Sequence, residues 1–246
     1  MKFGYFSSLS LIPIITTPTL VSCKKIETNK KESDNKNSSV VVMNHKIKLQ
    51  DNLPYEITEN QLEIDKAIKI ENINKINDGD TFRFQVKLAH GITYSYTSRF
   101  AGIDTPETHK YQNGTFVDTD GIQYEYGKRA EQFTTSILQM PNIEIYIVPQ
   151  KTKTGDDQIR DIYGRIISIN YIKINNKWIN LNTELVRLGF ARKAYISLKP
   201  SSTFFTTNQA YYYELSSAQE YAMNNKLGIF AQDADFAKIY PKAKHE

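Results

Sequence analysis

The sequence contains one cysteine, Cys23, in 246 residues, and four histidines that do not cluster. A single cysteine excludes an internal disulfide framework. It also leaves too few thiolate and imidazole ligands for a structural zinc site. A role for a metal would therefore have to rest on oxygen ligands.

Charge of one sign is also scarce. The formal net charge is +4, and the positive excess lies in residues 1–52, because acidic and basic residues cancel over residues 53–246. A length of 246 residues suits one ordinary domain with appendages. This balance does not by itself indicate a nucleic-acid binder. Evidence on function must come from local motifs.

The long uncharged stretch of the chain is residues 3–22, which end in Leu20-Val-Ser-Cys23. This ending resembles the lipobox of a bacterial lipoprotein signal peptide, which would be cleaved before Cys23 and lipidated there. A short transmembrane helix and a plain secretory leader are the alternatives. Pro13 and Pro18 argue against a continuous spanning helix. We expect attachment to the extracellular face of the cell membrane through lipidated Cys23.

The next segment is polar and rich in Lys, Asn, Ser and Glu, broken only by Val40-Val-Val-Met43. Such a composition predicts a flexible tether. Contact of its lysines with anionic lipid or substrate is the alternative. The expected organisation is a signal peptide at residues 1–22, a tether at 23–62 anchored at Cys23, and a folded domain at 63–240.

The stretch that organises this domain is Arg99-Phe-Ala-Gly-Ile-Asp104-Thr-Pro-Glu-Thr108. Ahead of it, Ile92, Tyr94 and Tyr96 alternate as in a half-buried strand. Pro106 supplies no backbone donor, so the strand should end there and leave Asp104 and Glu107 in an exit turn. An arginine beside compact carboxylates is what a divalent-metal phosphoester site requires.

Two more polar motifs flank apolar runs. Asn77-Asp-Gly-Asp80-Thr81 is a tight-turn signature before the alternating run Phe82–Leu88. Asp161-Ile-Tyr163-Gly-Arg165 precedes the apolar run Ile166–Ile169. DGDT, R-x-x-x-I-DTPE and DxYGR, in this order, resemble the staphylococcal nuclease (thermonuclease) family. The resemblance continues to about residue 232 and covers roughly residues 66–232.

Periodicity predicts short strands interspersed with helices, which is typical of an α+β fold built on a small barrel. Helices are expected at residues 124–139, 181–188 and around 211–222, and residues 109–121 are expected to form a mobile surface loop. The DTDG sequence at residues 118–121 could suggest a calcium-binding loop, but the rest of an EF-hand pattern is missing, which favours the surface loop. The resemblance makes the expectation specific: a five-stranded OB-fold β-barrel with about three packed helices.

The family resemblance also implies the metal ligands. Asp80 and Asp104, with the carbonyl oxygen of Thr105, would bind Ca²⁺, which prefers hard oxygen ligands. Taken singly, Asp80 is better explained as a turn cap and Asp104 as an Asx turn before Pro106. Their combination with Glu107, Arg99 and Arg165 favours the metal site.

Three further residues are predicted to carry the chemistry. Glu107 is the candidate general base that orients or deprotonates the attacking water. Arg99 and Arg165 are the candidate phosphate clamp, because the guanidinium fork matches two phosphate oxygens. Tyr163 and Tyr195 match family positions that line the nucleotide pocket, although a tyrosine is more often a packing residue. Ile162 departs from the family, which often has a lysine there.

The resulting hypothesis is a monomeric, membrane-anchored, Ca²⁺-dependent endonuclease of DNA and RNA. The resemblance implies cleavage of the 5′-side P–O bond and 3′-phosphate ends, for nucleotide scavenging or degradation of host DNA. A non-catalytic OB-fold lipoprotein that binds nucleic acid is the first alternative. A surface lipoprotein for adhesion, with the domain as a scaffold, is the second.

Overall fold

The computed structural model describes residues 39–153 and 157–241. Cys23 and the predicted signal peptide lie outside these residues. The four described α-helices are α1 (Gly121–Leu138), α2 (Leu181–Arg187), α3 (Gln209–Asn224) and α4 (Phe236–Ile239). The described strands are β1 (Ser39–Val42), β2 (His45–Lys48), β3 (Ile57–Thr58), β4 (Ala67–Lys69), β5 (Asn72–Asp78), β6 (Thr81–Lys87), β7 (Thr93–Phe100), β8 (Ile103–Asp104), β9 (His109–Gln112), β10 (Thr115–Asp118), β11 (Glu144–Pro149), β12 (Ile166–Ile174), β13 (Lys177–Asn180) and β14 (Arg192–Lys193). The predicted α+β class is confirmed.

The main sheet has eight strands in the order β3-β4-β11-β12-β7-β6-β5, with β13 paired to β12. Strands β5, β6 and β7 form an antiparallel meander, and β7 joins β12 in parallel. In β6 the buried Phe82, Phe84 and Val86 alternate with the exposed Arg83 and Lys87. This alternation places one face of the sheet on the core.

The sheet curls back on itself because only Ile70 and Glu71 separate β4 from β5, two strands far apart in the pairing order. Ile70 N–H donates to Ile145 O at 3.0 Å on one side, and Glu71 N–H donates to Gln85 O at 2.8 Å on the other. The described sheet has more strands than the predicted five and is not a closed barrel. The five-stranded barrel is therefore not confirmed.

Helix α1 packs against β5 of this sheet. The predicted apolar face is confirmed, since Ala130, Phe133, Ile137 and Leu138 are buried. The helix begins at Gly121, earlier than predicted. Its buried face also includes Gly127. The small side chains of Gly127 and Ala130 let α1 approach the loops that carry the motifs.

The predicted tether is wrong for residues 39–62. Strands β1 and β2 form a hairpin whose Val42 and Ile47 belong to the hydrophobic core. The backbone oxygen of Lys46 accepts a hydrogen bond of 2.6 Å from Arg187 Nη2. The polar composition concealed two short strands that each bury one residue in four and are hydrogen-bonded to α2 through Arg187 and Glu184.

Residues 109–118 are mostly exposed, as predicted, but the predicted loop conformation is wrong. Strands β9 and β10 pair in an antiparallel hairpin with Gln112 opposite Thr115. Asn113 and Gly114, with φ values of 51° and 83°, form the two-residue turn. Asn-Gly is the preferred pair for such turns, because both positions need positive φ. That turn signal outweighed the polar composition.

Candidate active site

Helix α1 fixes the turn between β5 and β6. Thr134 Oγ1 donates to Gly79 O at 2.6 Å. A Cβ atom on Gly79 would lie 2.7 Å from the Cβ of Ala130, closer than side chains approach one another. Only glycine therefore allows α1 to lie this close, and the contact sets the position of Asp80.

The same helix fixes the loop after β8. A Cβ atom on Gly127 would lie 2.7 Å from Pro106 O and 2.9 Å from Thr108 Cγ2. At the far end of this loop, Thr119 Oγ1 donates to Glu107 O at 2.7 Å. One helix thus holds both carboxylate-bearing loops, which fixes their separation.

Arg99 on β7 bridges the two aspartates predicted as metal ligands. Its Nη1 pairs with Asp80 Oδ1, and its Nη2 donates to Asp104 Oδ1 at 3.0 Å. The second oxygen of Asp80 accepts a hydrogen bond of 2.9 Å from Thr105 N–H. Asp80, Asp104 and Thr105 are 1%, 5% and 3% exposed, so these charges are compensated inside the protein. The structure therefore brings the three predicted ligands together.

A second arginine holds Asp104, and no motif in the sequence analysis contained it. Arg192 donates from Nε and Nη2 to Asp104 Oδ2 at 3.0 and 2.8 Å. The guanidinium Cζ lies 4.0 Å from the ring centroid of Tyr240, whose hydroxyl donates to Asp104 O at 2.7 Å. Pairing of β14 with β8 places Arg192 opposite Asp104. This long-range pairing has no local sequence signal.

A cavity of about 820 Å³ opens beside these buried charges. Its walls contain every residue predicted to be catalytic or substrate-binding: Arg99, Glu107, Tyr163, Arg165 and Tyr195. Of the three residues predicted to hold metal, Asp80 and Asp104 pair with Arg99, which lines this cavity, and Thr105 N–H donates to Asp80. The arrangement presents guanidinium groups, a carboxylate and aromatic rings to one occupant.

Arg165 is oriented by Asp161, a residue of its own motif to which the sequence analysis gave no role. Asp161 Oδ2 accepts from Arg165 Nε at 2.7 Å, and Asp161 Oδ1 accepts from the backbone N–H groups of Tyr163 and Arg165 at 2.9 Å each. The Arg165 Cζ lies 5.2 Å from the ring centroid of Tyr163, which is 77% exposed. The turn therefore presents an oriented guanidinium and a solvent-facing ring.

Glu107 stands at the mouth of the cavity among other charges. Loss of hydration raises the pKa of Glu107 to about 7, and the negative charges of Asp78 and Asp104 act in the same direction. The positive charges of Arg99 and Arg165 oppose this shift. Glu107 is nevertheless solvent-exposed, so water weakens the effect of these charges on it. Burial also raises the pKa of Asp78. The site carries negative charge that its arginines do not fully compensate.

The donor atoms suit a hard divalent cation in kind. All are oxygens, from Asp80, Asp104, Thr105 and the nearby Asp78 and Glu107, and an added cation would relieve their repulsion. In the part of the chain that the structure describes, no group of three His, Cys, Asp or Glu side chains is arranged to hold a metal. Arg99 pairs with one oxygen of each aspartate, and Arg192 donates to the other oxygen of Asp104. Cation binding would require these guanidinium groups to give way.

Comparison with known proteins identifies the family of this chain. Residues 97–232 match the family described as staphylococcal nuclease homologue. The match covers more than half of the chain, which therefore belongs to this family, and its domain is an OB-fold. The matched range includes Arg99, Glu107 and Arg165 and begins after Asp80.

An uncharacterized protein of Methanocaldococcus jannaschii is 32% identical over 131 residues, which are 50% of this chain and 58% of that protein. The chain thus spans little more than half the length of this relative. Separately, none of the helices in residues 39–153 and 157–241 is long and apolar enough to cross a membrane.

Proposed function

We propose that this protein is a Ca²⁺-dependent nuclease that hydrolyses phosphodiester bonds of DNA and RNA. Cleavage would break the 5′-side P–O bond and leave 3′-phosphate ends. The observation that carries the proposal is that Glu107, Arg99 and Arg165 line the same cavity. Family membership supports the nuclease class, and a pure binding module would have no need of a carboxylate at this place.

The residues of the chain divide the work as follows. Arg165, oriented by Asp161, donates to a phosphate oxygen and stabilises the charge that builds up in the pentacoordinate state. Glu107 orients a water molecule and accepts its proton, for which an upward-shifted pKa is suited. Asp80, Asp104 and the Thr105 carbonyl would hold Ca²⁺, and the chemistry that the ion would supply is polarisation of a phosphoryl oxygen.

Metal dependence is tested with a fluorogenic oligonucleotide in Ca²⁺, in Mg²⁺ and in EGTA. We expect cleavage in Ca²⁺, little in Mg²⁺, whose octahedral preference suits this site poorly, and none in EGTA. Undiminished cleavage in EGTA would refute the calcium proposal while leaving the nuclease proposal standing.

Catalysis by this chain, rather than by a contaminant, is tested with Glu107→Gln. The substitution keeps size and hydrogen bonding but removes basicity, so kcat should fall by about 10²–10⁴ with substrate affinity barely changed. Glu59→Gln, at an exposed glutamate outside the cavity, is the matched control. Wild-type turnover in Glu107→Gln would remove Glu107 from the chemistry.

The second candidate function is nucleic-acid binding without cleavage. One observation favours it: Arg99 and Arg192 already neutralise Asp80 and Asp104, as expected if the carboxylates serve structure. Under this alternative, oligonucleotide binding would survive Glu107→Gln unchanged, and Ca²⁺ would induce no cleavage by the wild-type protein.

We further propose that the protein is exported and held at the membrane by a lipid on Cys23. The support is Leu20-Val-Ser-Cys23 in the sequence. The mature chain should start at Cys23 and partition into detergent, and Cys23→Ser should block processing or release the protein. If Cys23→Ser has the same electrophoretic mobility as the wild type and remains bound to the membrane, the acyl anchor is ruled out.

A further inference from the structure

The short helix α4 lies beyond residue 232, where the match to the family ends. Asp235 caps this helix, because its Oδ1 accepts a hydrogen bond of 3.2 Å from Lys238 N–H. The helix packs against α1, and its Ile239 is fully buried. Residues 235–240 are therefore a packed part of the fold.

Tyr240, which follows α4, contacts Asp104 and Arg192 at the same time. Its hydroxyl donates to Asp104 O at 2.7 Å, and the Arg192 Cζ lies 4.0 Å from the centroid of its ring. Phe236 lies beside the same ring, with centroids 5.1 Å apart, and Phe230 stacks on Phe236 at 5.9 Å. A row of three aromatic rings therefore holds Tyr240 beside the guanidinium.

The ring of Tyr240 favours the arrangement in which Arg192 faces Asp104. In this arrangement Arg192 donates from Nε and Nη2 to Asp104 Oδ2 at 3.0 and 2.8 Å. A guanidinium over an aromatic face is attracted by the ring. Without the ring, more rotamers would be open to Arg192, because a long arginine side chain loses much conformational entropy when it is fixed. Tyr240 thus stabilises the state in which the guanidinium occupies Oδ2.

We propose that Tyr240 is a positioning residue that holds Arg192 against Asp104 and thereby lowers the affinity of the site for its cation. This inference rests on the proposed Ca²⁺ site and adds a control on that site from beyond the matched range. A Ca²⁺ ion that binds Asp104 has to displace Arg192 from Oδ2, and the displacement also gives up the contact with the ring. The affinity for Ca²⁺ is then reduced by the factor that the ring contributes to the metal-free arrangement.

Calorimetric titration with Ca²⁺ in metal-depleted buffer tests this control. Tyr240→Leu removes the ring, so it should bind Ca²⁺ about 2- to 30-fold more tightly than the wild type, the range for one arginine–aromatic contact. Tyr240→Phe keeps the ring and loses the hydroxyl, so its affinity should stay near that of the wild type. Arg192→Met leaves the ring no guanidinium to hold, so adding Tyr240→Leu to that variant should change the affinity no further.

The matched control is Tyr221→Leu, which removes another ring beside a paired arginine. The Arg187 Cζ lies 5.4 Å from the Tyr221 centroid, and Arg187 pairs with Glu184, outside the cavity. Tyr221→Leu should bind Ca²⁺ as the wild type does. The inference is overturned if Tyr240→Leu binds no more tightly than Tyr221→Leu, if Tyr240→Phe gains as much as Tyr240→Leu, or if the double variant exceeds Arg192→Met.

A measurement without metal separates this inference from the calcium proposal. In EGTA, NMR measures the rate of solvent exchange at the Arg192 Nε–H, which donates to Asp104 in the structure. This rate should rise in Tyr240→Leu and keep its wild-type value in Tyr221→Leu, because only the first substitution loosens the pair. An unchanged rate in Tyr240→Leu overturns the inference whatever the titrations show. A wild type that binds no Ca²⁺ overturns the calcium proposal and, with it, the control of affinity.

Discussion

Arg192 donates two hydrogen bonds to a single carboxylate oxygen of Asp104, at 3.0 and 2.8 Å. The other oxygen of Asp104 accepts from Arg99. A side chain proposed to bind a cation is therefore already enclosed by two cations of the protein. The competition between these guanidinium groups and a metal should set the metal affinity of the site.

We expect Arg192→Met to bind Ca²⁺ about tenfold more tightly than the wild type, equivalent to about 1.4 kcal/mol, because one competing charge is gone. Arg192→Lys keeps the charge and should stay near wild type. Calorimetric titration in metal-depleted buffer measures both. An unchanged or weaker affinity in Arg192→Met would show that Asp104 does not contact the metal.

Arg165→Lys should lower kcat by about 10² or more, because lysine keeps the charge but loses the bidentate fork that holds the transition state. Arg160→Lys is the matched control: Arg160 also precedes β12 and pairs with Asp157 at 3.2 Å, but it does not line the cavity. Steady-state kinetics on one oligonucleotide compare the two. Equal kcat values would argue against an Arg165 clamp.

Gly127→Ala should destabilise the fold by about 1–3 kcal/mol, because the added Cβ would overlap Pro106 O and push α1 from the Glu107 loop. The gain in helix propensity, at most about 1 kcal/mol, cannot offset this overlap. Gln132→Ala at an exposed position of α1 is the control. Urea unfolding and kcat should both be affected in Gly127→Ala alone; an unperturbed kcat would mean that α1 does not position Glu107.

Glu214→Gln should change the pH dependence of stability. Burial, with the Glu184 charge in addition, raises the pKa of Glu214 above its usual 4.5. The folded state then holds a proton that the unfolded state releases, so the wild type loses stability as pH rises from the usual value through the folded value. The stability of Glu214→Gln relative to wild type should therefore increase across that window. Glu220→Gln, exposed on the same helix, should show no such trend in thermal unfolding.

A chain that starts at residue 63 should be about 3–6 kcal/mol less stable than one that starts at residue 37. Truncation exposes the core around the missing Val42 and Ile47, each worth about 1.5–3 kcal/mol. It also removes Lys46 O and Lys48 N–H, which bond the buried pair Arg187 and Glu184. The urea concentrations at the unfolding midpoints of the two chains measure this difference. Equal midpoints would mean that residues 37–62 act as a tether and do not stabilise the fold.

The sequence predicted what is local and missed what is distant. The order of the three motifs located the loops of Asp80, Glu107 and Arg165, because each motif carries its own turn chemistry. The alternation in β6 and the apolar face of α1 were likewise predictable from their periods.

The misses have a common physical origin. Arg192 meets Asp104 through pairing of β14 with β8 across 88 residues, and Tyr240 meets Asp104 across 136 residues. Such contacts are set by tertiary structure and leave no pattern in neighbouring residues. The β1–β2 hairpin was missed because composition outweighed its short alternation.

The early start of the folded part has a spatial consequence for the proposal that this protein is a nuclease anchored at Cys23. With β1 beginning at Ser39, only residues 24–38 separate the proposed anchor from the domain. Covalent geometry limits such a segment to about 55 Å even when fully extended, far less than a tether reaching residue 62 would span. Hydrolysis would then be confined to a thin layer above the bilayer, where only strands that come to the cell surface can be cut, and the nucleotides would be released beside the membrane.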